Sequence, residues 1–267
     1  MFNIRASSLP YYTDCPRKWA ANSIPRDIIE GLGIKLRTQV PYVYAKMGTG
    51  THSGVALSLR RKKDGIMLPN PLDDIYQAGI EKFREEIHEG VIWDSVTNNI
   101  NTAEKQIQNV LRAYYNVVLP QIEPLGIEYA LKAKIDDDYM LTGHMDVNCE
   151  NEIRDFKNGV RDPKAFAQMG GYAILKKANK EGQAKKLIID HIKRTSLKKP
   201  QAMPEVVEYD VIESEREAKA IYKRIIRDMN DFLNSGDPGI FMANLHSNLC
   251  SAKYCRAYKT KWCKLTK

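Results

Sequence analysis

The 267-residue sequence has no apolar run that approaches the length of a membrane span, and its first residues, Met-Phe-Asn-Ile-Arg-Ala-Ser-Ser, lack the apolar stretch of a secretory leader. The expectation is a cytoplasmic protein with no membrane segment. It has no internal repeat and no low-complexity stretch, which argues against a solenoid and against a long disordered region. Cysteine is sparse, five residues in all, and without a secretory signal five cysteines do not read as a disulfide framework; they read as thiols or as ligands. Acid is the scarcer charge, 33 Asp and Glu against 41 Lys and Arg, for a net charge of +8.

Hydrophobic residues make up 43% and charged residues 28%, the balance of a globular chain able to bury a sizeable core. A single domain over 1–267 is expected, with a helical insertion at about 54–124 and a C-terminal cysteine segment at 245–267. The basic excess gathers in three places: Arg60 to Lys63; Lys193, Arg194, Lys198 and Lys199; and the tail after Cys250, with Lys253, Arg256, Lys259, Lys261, Lys264 and Lys267. Such patches suit a polyanion, with a plain solvated surface as the alternative.

Residues 6–20 read as a short helix or turn followed by a proline-marked loop. Apolar residues recur at helical spacing from Leu72 to Ile87, and again from Ile107 to Val118 until Pro120. From Ile127 the pattern changes to alternation and turns, which predicts an antiparallel meander over Ile127–Ile135, Tyr139–Val147 and Glu152–Lys157. Pro163 is expected to open a helix ending near Ala178. Lys186–Ile192 and Val206–Ile212 read as strands, and Ser214 with Glu217 as a capping box for a last helix stopped by Gly236. The fold class expected is α/β in the sense of a mixed α+β sheet, with flanking helices and a helical front section.

Within the meander lies Leu-Thr-Gly-His-Met-Asp-Val-Asn-Cys-Glu-Asn-Glu-Ile-Arg-Asp-Phe-Lys. With Glu150 and Asn151 as the two loop residues of a hairpin, Val147 faces Arg154 and Asp146 faces Asp155. Like charges across a sheet are destabilising, so the arrangement calls for a cation, and a divalent metal is the natural candidate. Alternation puts Ile153, Asp155 and Lys157 on one face, which brings an ammonium beside that metal. Metal plus lysine suggests phosphodiester chemistry, although Asp and Lys two apart on a strand are common on exposed surfaces.

Four ordered elements, Gly50-Thr51-His52, Gly143-His144-Met145-Asp146, Asp155-Phe156-Lys157 and Gln168-Met169-Gly170-Gly171-Tyr172, resemble the motifs of the PD-(D/E)xK nuclease superfamily, and within it the RecB-like branch of CRISPR-associated and phage-type exonucleases. The resemblance spans about 6–263. It implies a restriction-endonuclease-like core and a metal-dependent deoxyribonuclease, an exonuclease acting on single strands or linear DNA ends in recombination, repair or CRISPR-type spacer processing. It also implies that a recombination or CRISPR-adaptation protein could be a partner. Asp146, Asp155 and the backbone carbonyl of Phe156 would ligate Mg2+ or Mn2+, with His52 as an additional ligand whose softer nitrogen favours Mn2+. Lys157 would position the attacking water or stabilise charge on phosphorus. Gln168 and Tyr172, four apart on one helical face, would hold substrate or the lysine. Glu128 and His144 rank below these residues, and Tyr11, Tyr12 and Trp19 are candidates for stacking on bases or for the core. A restriction-like endonuclease and a non-catalytic nucleic-acid-binding subunit remain as alternatives.

Cys149 lies in the hairpin and reads as a buried or turn thiol. The one-plus-three distribution of Cys15 and Cys250, Cys255 and Cys263 resembles the iron-sulfur nucleases of the same branch, which implies a [4Fe-4S] cluster clasping the two ends of the chain. A zinc site using three cysteines and His246, or simple reduced thiols, are the competing readings.

Overall fold

In a computed structural model, which describes residues 1–159 and 165–264, six strands form one mixed sheet: β1 (Phe2–Arg5), β2 (Gly126–Asp136), β3 (Tyr139–Asn148), β4 (Glu152–Lys157), β5 (Lys186–His191) and β6 (Glu205–Tyr209). Their order is β1-β3-β4-β5-β6, with β2 paired to β3. The β1–β3 and β4–β5 pairs are parallel and the others antiparallel. Eight α-helices are described: α1 (Leu9–Asp14), α2 (Pro16–Ser23), α3 (Arg26–Gly31), α4 (Val43–Lys63), α5 (Pro71–Glu86), α6 (Ile100–Ala113), α7 (Phe166–Ala178) and α8 (Val211–Ser235). The fold is mixed α+β, a six-stranded sheet flanked by helices.

Two apolar cores sandwich the sheet. The first joins Leu141, Met145, Ile153, Leu187 and Ile189 to Leu9, Trp19, Met169, Leu175, Ile225 and Phe232 of α1, α2, α7 and α8. The second joins Val147 and Phe156 to Met47, Val55, Leu59, Ile75, Phe83, Ile107 and Leu111 of α4, α5 and α6. Tyr12 and Trp19 belong to the first core, 4% and 2% exposed, and stack edge-on at 5.3 Å, so their place as base-stacking candidates is overturned: their apolar area is already committed.

The hairpin between β3 and β4 pairs Val147 with Arg154 and Asn148 with Ile153, and the Cys149 N–H donates to the Glu152 carbonyl at 2.9 Å. Lys176, buried on α7, closes its turn by donating to Asn148 Oδ1 at 2.8 Å and to the carbonyls of Cys149 and Glu150. The ladder stops at Val147 and Arg154, so Asp146 and Asp155 are not a ladder pair.

Other expectations shift. Residues 6–20 hold two helices rather than a loop, because Pro10 and Pro16 sit in first turns, where a missing N–H costs nothing. The preceding Phe2–Arg5 forms a strand that four residues gave too little pattern to reveal. Val211 and Ile212 open α8 rather than extend β6. The α8 N-cap is Asp210, whose carboxylate accepts from Glu213 N at 2.8 Å, so Ser214 lies inside the helix and is buried. Gly236, at φ 67°, ends that helix as expected. Pro163, expected to open α7, lies outside the described residues.

Helices α7 and α8 cross at Gly170, where a Cβ would stand 1.9 Å from the Ser214 carbonyl oxygen. Backbone on the other side cannot rotate away as a side chain would. Gly170→Ala is expected to cost about 3 kcal/mol of stability or to abolish folding, measured as the urea midpoint against wild type.

Candidate active site at the end of the sheet

Where the β3–β4 ladder ends, a side chain takes over its pairing: Asp146 Oδ2 accepts the Phe156 N–H at 2.7 Å. Strand alternation also breaks here, since Met145 packs in the first core and Val147 in the second. On β2 the pairs Ile127–Val147 and Tyr129–Met145 leave Glu128 across from Asp146, and Glu128 has φ 50°, a left-handed backbone that costs a non-glycine residue about 1 kcal/mol or more. Both carboxylates thereby come together beside α4. His52 Nδ1 lies 3.2 Å from Asp146 Oδ1, and one donor atom each from His52, Glu128 and Asp146 falls within 4.8 Å of the others.

The rotation of α4 that aims His52 is set by Gly50. A Cβ there would lie 2.7 Å from the Gly79 carbonyl oxygen and 2.9 Å from Phe83 Cβ of α5. Phe156 packs edge-on to the His52 ring at 5.2 Å, and Asn158 Nδ2 donates to Thr51 Oγ1 at 2.6 Å, tying α4 to the end of β4.

Asp155 reaches the same space from the opposite face. Its Oδ1 accepts from Gln168 Nε2 at 2.9 Å, Gln168 Nε2 also donates to the Tyr172 hydroxyl at 2.9 Å, and that hydroxyl donates to the His144 carbonyl at 2.9 Å. Gly143 allows this approach, since a Cβ there would stand 2.9 Å from the Tyr172 ring. Asp155 Oδ2 lies 2.6 Å from Lys157 Nζ, yet has no aligned hydrogen bond among the described residues. It is a buried anionic oxygen with acceptor capacity to spare.

The charges act strongly on one another. Burial, then the Asp146 carboxylate, push the Asp155 carboxyl up to about 6 despite Lys157. Burial works against ionised Asp146 too, but His52, Lys157 and the Phe156 N–H outweigh it and hold its pKa below the usual carboxylate range. Burial likewise opposes the charged forms of His52 and Lys157, and the two aspartates overcome it, raising both. Glu128 is raised by burial and by Asp146. Two carboxylates and one imidazole, from Glu128, Asp146 and His52, surround a common space, with the Asp155 carboxylate near enough to act on Asp146, and such oxygen and nitrogen donors fit Mg2+ or Mn2+.

The structure thus brings His52, Asp146, Asp155 and Lys157 together. It places Glu128 nearer the donor set than its sequence ranking, and His144 one step out, with Nδ1 3.0 Å from Glu128 Oε2. Gln168 holds Asp155, and Tyr172 holds Gln168 from behind. Phe156 contributes its N–H and its ring. Tyr11, 58% exposed, lies near enough to Lys157 to act on its ammonium, and Arg60 acts on Glu128. The contacts of Asn158 and Arg60 had no legible signal, since they depend on chain segments far apart in sequence.

Much of the basic excess has internal work. Arg61 pairs with Asp74 at 2.7 Å, Lys62 donates to the Leu119 and Pro120 carbonyls, and Lys63 donates to that of Leu125. Arg194 is buried against Asp94 and Thr97. Three residues of the first run, and Arg194 of the second, are therefore engaged with internal partners.

Cys15, Cys250, Cys255 and Cys263 line one cavity, together with Arg17 and Lys18. Cys15 sits between α1 and α2, and its Sγ accepts from Asn244 N at 3.5 Å. Burial and the neighbouring thiols raise the Cys250 pKa, and burial raises that of Cys255. No three of the four sulfurs lie within 4.8 Å of one another, whereas a tetrahedral zinc would draw them to about 3.8 Å. His246 is exposed and does not line the cavity, which removes it from the zinc reading. Cys149 is buried elsewhere, its thiol pushed up to about 11 by burial.

No family model matches the chain, and no curated protein does. Among solved structures, a provisionally assigned exonuclease from Eubacterium rectale aligns at 11% identity over 71% of this chain and 77% of its own, with a TM-score of 0.41. SSO0001 aligns at 14% identity over 74% of this chain and 82% of its own, with a TM-score of 0.26. Likeness at these scores carries no argument; the chemistry rests on the geometry above.

If the carboxylates and His52 bind a divalent ion, saturating Mn2+ will raise the melting temperature by about 5 °C, and Asp146→Ala or Asp155→Ala will remove the shift. An equal shift in those variants would place the ion elsewhere.

Proposed function

We propose that the chain is a metal-dependent nuclease that hydrolyses phosphodiester bonds at DNA ends. The observation that carries this reading is the pair of buried carboxylates, Asp146 and Asp155, set between His52 and Lys157 at the end of the sheet. His52, Asp146 and Asp155, with Glu128 beside them, would hold Mn2+ or Mg2+. The bound ion would supply Lewis acidity toward a phosphate oxygen and lower the pKa of a ligated water. Lys157, kept cationic by the two aspartates, would orient the attacking water and offset charge building on phosphorus. Gln168 and Tyr172 keep the Asp155 carboxylate turned toward this space. The resemblance to RecB-like nucleases is the support for DNA as substrate and for a setting in recombination, repair or CRISPR-type spacer processing.

The test is cleavage of end-labelled linear DNA, single- and double-stranded, and of closed circles, with Mn2+, Mg2+ or EDTA. Metal-dependent loss of linear DNA alone is expected. Lys157→Ala and Asp155→Ala should each lower the rate by at least about a hundredfold, with DNA affinity retained. Cutting of closed circles would point to an endonuclease, and binding without cleavage in any metal to a scaffold.

We further propose that Cys15, Cys250, Cys255 and Cys263 hold a [4Fe-4S] cluster. The cavity shared by all four thiols favours this reading, and Arg17 and Lys18 beside it would offset the negative charge of a cluster. Anaerobically prepared protein should contain iron and sulfide in equal amounts, about four of each, with broad visible absorption lost in Cys255→Ser. Zinc in place of iron, or no metal at all, would refute this assignment.

A further inference from the structure

The basic residues of the C-terminal tail border a second feature that the catalytic reading leaves unused. A cavity of about 510 Å³ lies where the segment before α4 meets the tail, and its lining includes Tyr42, Tyr44, Tyr254, Arg26, Lys253 and Arg256. Tyr42 and Tyr44 stack nearly parallel, with centroids 5.6 Å apart and planes at 20°. Tyr254 leans on Tyr42 at 6.0 Å. Lys253 Nζ sits 4.3 Å from the Tyr42 centroid and 4.9 Å from that of Tyr254. No carboxylate lines the cavity among the described residues, although Arg26 makes an exposed pair with Glu30 at 3.6 Å.

The cavity also stands at the start of the helix that carries His52. Tyr44, Gly48 and His52 are spaced by four residues and so lie along one side of α4. Tyr44 to His52 is about 12 Å along the helix axis, the reach of a few nucleotides. The exposed positions between them on α4 are Ala45 and Thr49, and Lys46, partly exposed, is drawn to Glu86 at 2.7 Å.

We infer that this cavity is a docking site for single-stranded DNA, in which bases add to the tyrosine stack while Arg26, Lys253 and Arg256 hold phosphates, and from which the strand runs along α4 to the carboxylates. The substrate class follows from the chemistry. Parallel phenol rings offer π-faces that bases of any sequence can use, and a duplex keeps its base faces internal. An acidic peptide would use the cations but has no need of stacked rings. The inference deepens the nuclease reading and rests on it for the direction of the strand.

The experiment is fluorescence anisotropy with a labelled oligothymidylate of about 12 nucleotides, in EDTA so that nothing is cleaved. Tyr44 is 43% exposed, so its replacement should leave the fold intact. Tyr44→Ala is expected to weaken binding about tenfold, with Tyr44→Trp within roughly twofold of wild type, Lys253→Glu shallower in salt dependence, and a duplex of equal length bound at least about tenfold more weakly. Wild-type affinity in Tyr44→Ala, equal loss in Tyr44→Ala and Tyr44→Trp, duplex binding as tight as single-strand binding, or no binding by wild type would each overturn it. The two readings fail separately: weaker binding by Tyr44→Ala with no wild-type cleavage in Mn2+ removes the nuclease, and cleavage with unaltered binding removes the docking site.

Discussion

Two carboxylates in one buried space constrain everything around them. Asp146 and Asp155 enter from opposite faces of the sheet at the point where β3 and β4 part. Burial and mutual repulsion push the Asp155 carboxyl up to about 6 from 3.8. A folded pKa raised in this way weakens the fold above the raised value and has no effect below the unfolded one. At neutral pH this weakens the fold, while the lowered Asp146 carboxyl and the raised Lys157 ammonium act in the opposite direction. A core under no demand but stability would place an apolar or amide side chain at one of the two positions.

The rest of the architecture holds this repulsive pair in place. One jaw is α4, rotated by its glycine crossing with α5 so that His52 meets Asp146. The other is α7, seated by Gly143 and Gly170 so that Gln168, backed by Tyr172, meets Asp155. Between them β2 takes a left-handed step at Glu128, and Asp146 gives its carboxylate to a ladder N–H. These are local departures from regular geometry, each at a different element, and they converge on one cluster of charged groups. Their common effect is to fix charged groups whose natural tendency is to move apart.

The strand register was legible because the hairpin has a two-residue loop, and antiparallel pairing then fixes Val147 against Arg154 without further information. Sequence alternation carried less at Asp146, since its break depends on the backbone of Glu128, a residue with no glycine-like signal. The start of α8 was misread because Ser214 and Glu217 fit a capping pattern, while Asp210 caps the same helix one turn earlier through Glu213. The basic runs looked alike in sequence; only packing separates Lys62 and Arg194, spent on internal partners, from Lys253 over its tyrosine rings. His52 was found from the order of four elements, but its aim toward Asp146 depends on a helix crossing that no single segment encodes.

The tail joins two of these stories physically. Cys250 and Cys255 bracket Lys253 and Tyr254, so the segment that lines the thiol cavity also presents the cation and ring that meet Tyr42. Gln39 donates to the Lys253 carbonyl at 3.3 Å, and Arg37 N to that of Arg256 at 3.0 Å, which docks the segment before α4 onto the tail. Trp262 anchors the far side by donating to the Arg17 carbonyl at 3.0 Å. Because Tyr42 is the N-cap of α4, the path from the cysteines to His52 runs through Lys253 and Tyr254, their contacts with the Tyr42 ring, and one helix. Displacing the tail would pull apart the tyrosine cluster before it disturbed the carboxylates, which are held by the sheet and α7. The tyrosine cavity and the carboxylate cluster therefore have separate structural supports, and α4 links them.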